Sequence, residues 1–174
     1  VLGLLMTKPL SKRFGKRNAL IGLTMISAVL TIAFYFVPAS NFEQIFWLNI
    51  VSAFMAGPMP ALVWAIYTDV VDYGEWKFDR RITALTFAAA MFVQKAGLAL
   101  GGWSVGLLLG YFGYIANVDQ SERSLNGILL MFSIIPGVLT ILSGVILYWY
   151  NIGDDEVENI AIELEERRKS VSAK

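Results

Sequence analysis

The sequence contains no cysteine and no histidine. It therefore has no disulfide, thiolate nucleophile or Cys-based zinc site, and it lacks both the commonest metal ligand and the commonest general base. Charge is also scarce, at 16% of 174 residues. Its 14 basic and 14 acidic residues cancel, and no long basic face is left to bind nucleic acid. The remainder is apolar: 56% of residues are hydrophobic and the mean hydropathy is +0.59, which points to a bilayer rather than to water.

A helix needs about 20 apolar residues to cross a hydrocarbon core roughly 30 Å thick, and four stretches qualify: Asn18–Val37, Gln44–Tyr67, Ile82–Gly110 and Leu125–Tyr150. Val1–Thr7 is too short, and it reads as the last turns of a further span. It opens inside an apolar run without an initiator Met or a signal-peptide pattern, so the expectation is a piece of a longer chain. The predicted fold is all-α: a polytopic membrane helix bundle over 1–150 with four complete spans and the end of a fifth, followed by a tail, 151–174.

Basic residues alternate across the connections. Five lie in 8–17, none in 38–43, three in 68–81, one in 111–124 and four in 151–174. By the positive-inside rule, 8–17, 68–81 and the tail should face the cytoplasm of an inner-membrane protein. In the tail, Val157, Ile160, Ala161, Leu164 and Arg168 recur at helical spacing, and Glu163–Arg167 and Glu165–Lys169 are favourable i,i+4 pairs. A polar tail helix is predicted.

Lys95 is the one charge between Ile82 and Gly110, about 20 Å along the helix from its start. Its ammonium cannot snorkel to either surface. Holding it there costs at least about 2.5–3.5 kcal/mol, so it should meet a carboxylate or an aqueous cavity, yet no complete span has an interior Asp or Glu. At 100° per residue Ala84, Ala88, Gly102 and Gly106 share its face, which suits a cavity or a closely packed neighbouring helix.

Gly57-Pro58-Met59-Pro60 interrupts the second span, either as a substrate-lining break or as a plain kink. Of the aromatics that follow, Tyr67 fits the interfacial belt, while Trp64 fits either the belt or a stack against a sugar ring. Asp69 and Asp72, three apart at the end of that span, would share a helix face and need basic partners. Arg80, Arg81 or the 8–17 segment could supply them; a solvated loop is the alternative.

The run Thr68-Asp69-Val70-Val71-Asp72-Tyr73-Gly74-Glu75-Trp76-Lys77, then Arg80-Arg81 and Gln94-Lys95-x-Gly97, resembles the glycoside-pentoside-hexuronide:cation symporters, the melibiose-permease-like members of the major facilitator superfamily. Lys12-Arg13-Phe14-Gly15-Lys16-Arg17 is similar to that superfamily's basic loop motif, with Lys12 where an acidic residue is usual. The resemblance implies helices nine to twelve of a twelve-helix carrier. It also implies sugar or glycoside symport with Na⁺, H⁺ or Li⁺, no catalysis and no cofactor, and a coupling cation held mainly by an absent N-terminal half. Lys95 would be the helix-eleven lysine of the sugar and cation site, with Gln94 beside it and Trp64 nearby. Asp69, Asp72 and Arg81 would be cytoplasmic gate charges. The melibiose permease's helix-ten tryptophan falls at Pro60 here, so that role does not transfer. The rival reading is a membrane scaffold or sensor that binds partners through its tail.

Overall fold

The computed structural model describes residues 2–80 and 82–172 and, among them, is helical without a strand. Its elements are α1 (Leu2–Leu5), α2 (Thr7–Phe14), α3 (Lys16–Ala33) with a 3₁₀ turn at Phe34–Phe36, α4 (Phe42–Ala56), α5 (Met59–Phe78), α6 (Thr83–Phe112), α7 (Glu122–Phe132), α8 (Ile134–Leu147) and α9 (Asp154–Ser172). Among the described residues, four helical stretches are long and apolar enough to cross a membrane: Lys16–Phe36, Phe42–Phe78, Thr83–Phe112 and Glu122–Leu147. The expected all-α membrane bundle is the observed one.

Three boundaries depart from expectation, and each has a local cause. The basic segment 8–17 is helix on both sides of Gly15 rather than loop. It separates from α1 at Met6 because Pro9 can neither donate to the Leu5 carbonyl nor tolerate it one turn back. The last span is two helices, with Pro136 blocking the ladder opposite Phe132. Ser133 sits at the joint with φ −121° and ψ −72°, and its hydroxyl donates to the Leu129 carbonyl. Finally, α5 does not stop at Tyr67 but runs to Phe78, where Asp79 takes the left-handed conformation, φ 54°. Thr68–Phe78 is therefore a helical extension and not a loop.

The α4–α5 unit covers 37 residues, about 55 Å at 1.5 Å per residue if unbroken. That is longer than a bilayer core, so one end must project. The break predicted at Gly57-Pro58 is present: the Gly57 amide reaches only the Phe54 carbonyl, 3.3 Å away, and Pro58 is fully buried. Gly3 of α1 lies against it, and a Cβ on Gly57 would stand 2.9 Å from the Gly3 Cα.

The core is small and lies at the basic end, where Ala19, Leu20 and Leu23 of α3 meet Leu62 and Ile66 of α5, joined by Leu10, Leu147 and Tyr150. α3 packs most extensively on α8. Gly137 and Gly144 permit that approach, since a Cβ on Gly137 would meet Ile32 at 2.4 Å and one on Gly144 would meet Met25 at 2.7 Å. By contrast α6 buries none of its residues and touches only α5 and α7 to any extent.

Candidate functional site

Two groups of side chains stand out, one midway along the spans and one at the basic end. The first is a cleft of about 440 Å³ between α5 and α6, lined by Pro60, Trp64, Tyr67, Ala90 and Gln94 among others. Pro60 lies in the first turn of α5, where a missing amide costs nothing. One turn later Trp64 stacks on Phe87 of α6, with centroids 5.8 Å apart and planes at 17°, and meets Tyr67 edge to face at 5.7 Å. Trp64 thus belongs to the cleft wall, and Tyr67 does too.

Gln94 and Lys95 are 100° apart on α6, so they cannot share one wall. Gln94 lines the cleft; Lys95 is not among its lining residues and stands exposed on the adjoining face. Among the described residues Lys95 has no ion pair, in keeping with the lack of an interior carboxylate. Of the small residues expected on its face, Gly102 and Gly106 lie open among the described residues, since a Cβ on either would find no atom within 4 Å, and Ala84 and Ala88 are exposed.

At the basic end the structure supplies the partner that Asp69 required. Lys16 Nζ donates to both Asp69 oxygens, at 2.7 and 2.6 Å, with the two side chains 29% and 9% exposed. The 8–17 segment is therefore the source of the countercharge, and Arg80 is not. Asp72, half-buried one turn on, makes no ion pair among the described residues. Arg81, the third gate residue expected, lies outside the described residues, as do Val1 and the end of the tail.

Lys16 is held a second time through its backbone. Its amide, the first of α3, donates to Asp154 Oδ2 at 2.9 Å, so a carboxylate from the start of α9 caps the positive end of an 18-residue helix. Beneath them the Tyr150 hydroxyl is buried without a hydrogen-bond partner among the described residues. Its pKa is pushed up to about 12, first by burial and then by the charges of Asp69, Asp154 and Glu156. The phenol stays neutral at any physiological pH.

The tail helix docks on the projecting end of α5. Ile160 and Leu164 are buried, Trp76 Nε1 donates to Glu163 Oε2 at 2.6 Å, and Arg168 pairs with Glu75 at 2.9 Å. Arg167 reaches Asp79 at 3.5 Å and Glu163 at 3.9 Å, and the expected Lys169–Glu165 pair forms at 2.7 Å. The apolar stripe of the tail is thereby used inside the chain. Sequence reasoning found the stripe and the i,i+4 pairs but missed Asp154, Trp76 and Glu163 as contact residues. A carboxylate in the first turn of α9 was the only available signal, and it named no target.

Comparison with known proteins adds what geometry alone does not. Residues 1–154 match the family described as MFS/sugar transport protein. The chain is 33% identical over 159 residues to an uncharacterized 29.9 kDa protein of Pseudescherichia vulneris, covering 91% of this chain and 58% of that one. It is 35% identical over 157 residues to the uncharacterized symporter YnaJ of Bacillus subtilis, covering 89% and 34%. To the inner membrane symporter YicJ of Escherichia coli it is 32% identical over 151 residues, covering 86% and 33%. The chain thus spans just over half of the first of these relatives and about a third of the two symporters. No solved structure matches it.

Proposed function

The chain belongs to the MFS/sugar transport protein family, a family of transporters rather than enzymes, and from that premise we propose that it supplies four spans of a carrier moving a glycoside or related sugar in symport with a cation by alternating access. The single observation that carries this reading is the α5–α6 cleft. Trp64, an aromatic with one face against Phe87, and Gln94, an amide, both line it, and a lone mid-span cation, Lys95, stands on the face of α6 next to Gln94. Aromatic faces stack on the apolar side of a sugar ring, and amides and ammonium groups bond its hydroxyls. The coupling ion, Na⁺, H⁺ or Li⁺, would be held mainly by polypeptide outside this chain.

The Lys16–Asp69 pair and Asp72 would form part of a charged closure at the cytoplasmic end. Accumulation of radiolabelled glycosides by cells making the full-length protein is the test of transport. Uptake above equilibrium should be abolished by an ionophore that collapses the cation gradient. Equal uptake with and without the gradient would remove the symport reading.

The same proposal orients the chain with α2, the end of α5 and α9 in the cytoplasm, where their Lys and Arg belong. Alkaline phosphatase fused after α9 should be inactive, and fused at Asn41 it should be active. The reverse pattern would overturn the topology.

A further inference from the structure

The junction of α4 and α5 leaves a main-chain group without its helical partner. Pro60 has no N–H, so the Ala56 carbonyl four residues earlier has no α-helical donor. The backbone bonds that bracket the junction go elsewhere: the Gly57 amide donates to Phe54 and the Leu62 amide to Pro58. Ala56 is the last residue of α4, and among the described residues no backbone amide reaches its carbonyl. It lies about 21 Å along the helix from Phe42, within the depth of a hydrocarbon core. Irregular backbone persists at that depth only where protein buries it or an aqueous cavity bathes it. Protein does not bury it here, since Ala56 and Pro60 are both exposed, and both line the α5–α6 cleft. The occupant of that cleft must therefore donate hydrogen bonds. The rest of the lining is short of acceptors: the Trp64 indole only donates, and Gln94 and Tyr67 supply one oxygen each.

We propose that the Ala56 carbonyl accepts a hydrogen bond from one hydroxyl of the transported sugar; the inference rests on the sugar-carrier reading above and adds a main-chain contact to it. A sugar hydroxyl donates as well as accepts, and this carbonyl is the acceptor that the side chains leave wanting. Freed carbonyls at helix breaks also coordinate cations in carriers, but the described lining of this cleft contains no carboxylate, so the single neutral oxygen suits a hydroxyl better than a bare ion. Pro60 is then a positioning residue. It keeps the acceptor open by withholding the amide that would close on it, and its ring sits in the first turn of α5, where helix geometry tolerates it.

Cells making the full-length protein test this through uptake of radiolabelled methyl glycosides of glucose, galactose, xylose and glucuronic acid. The competitors are the monodeoxyfluoro analogues at each ring position, which keep the shape of the sugar but cannot donate there. In the parent, fluorine at one position should weaken competition about three- to tenfold. Pro60→Ala restores the amide and lets the helix close on the Ala56 carbonyl. It should raise the half-saturating glycoside concentration by the same factor and erase the discrimination at that one position, leaving the others as they were. Alanine is also the better helix former, so membrane abundance should not fall. Pro58→Ala should keep the discrimination, because Phe54, the carbonyl it would close on, already accepts the Gly57 amide. A parent with no such sensitive position, or Pro60→Ala discriminating as the parent does or losing discrimination alike at every position, would overturn the contact while leaving the carrier reading intact. Failure of the parent to take up any of the glycosides would remove that reading and the contact with it.

Discussion

Lys95→Met is expected to remove most of the gradient-driven accumulation of sugar by the full-length protein while leaving its membrane abundance unchanged. Lys95 lies 12 residues from the start of α6, about 18 Å along the helix, too deep for its side chain to reach the interface. Its insertion costs about 2.5–3.5 kcal/mol, and no described residue pairs with it to offset that cost. Methionine has similar length and no charge, so insertion cannot suffer. On the proposed function, what is lost is the charge-assisted bonding that a cation beside the Trp64–Gln94 cleft would offer to substrate or to carboxylates of the coupling site, worth about 1.5–3 kcal/mol. A fall in accumulation of roughly ten- to a hundredfold follows. Lys95→Arg, which keeps the charge but changes its shape, should keep part of the activity. If Lys95→Met accumulates sugar as well as the parent at equal abundance, Lys95 serves packing alone.

Gly15→Ala should be the most destabilising single methyl addition at the basic end. Gly15 has φ +80° and ψ 157°, a region that is essentially glycine's own and costs other residues about 1–3 kcal/mol. A Cβ there would also fall 2.2 Å from Asp154 Oδ2, the oxygen that accepts the Lys16 amide. Alanine must therefore displace the carboxylate, which uncaps α3 at a further cost of about 1 kcal/mol and loosens the start of α9. Thermal denaturation in detergent should show a midpoint several degrees lower. Asp154→Ala alone should have a smaller effect, and the double variant should fall short of the sum, because the clash and the cap share one group. A Gly15→Ala protein as stable as the parent would mean that the junction of α2, α3 and α9 bears no stabilising load.

Much of this was legible in the chain itself. The four spans, the Gly57-Pro58 break and the amphipathic tail with its Glu163–Arg167 and Glu165–Lys169 pairs depend on hydropathy and on period, which are read within a window of one helix. Lys95 stood out for the same reason, as a charge where local composition allows none. The helical nature of 8–14 and the run of α5 to Phe78 were not legible, because their composition is that of a polar connection. They are helical where neighbours cover them: Leu10 against the core, and Glu75 and Trp76 against α9.

The sequence by itself determined that four stretches of this chain are long and apolar enough to cross a membrane, that the connections between them alternate in basic charge, and that one cation is stranded within a span. Each follows from the free energy of placing a short stretch of side chains in hydrocarbon or water, a property that needs no partner. Only the tertiary structure decided that Asp69 pairs with Lys16 across 53 residues and that Asp154 caps α3 across 138. It likewise placed Gln94 and not Lys95 in the cleft with Trp64. Those outcomes rest on which surfaces of separate helices meet, and a charge in one helix has the same local signature whichever distant helix answers it.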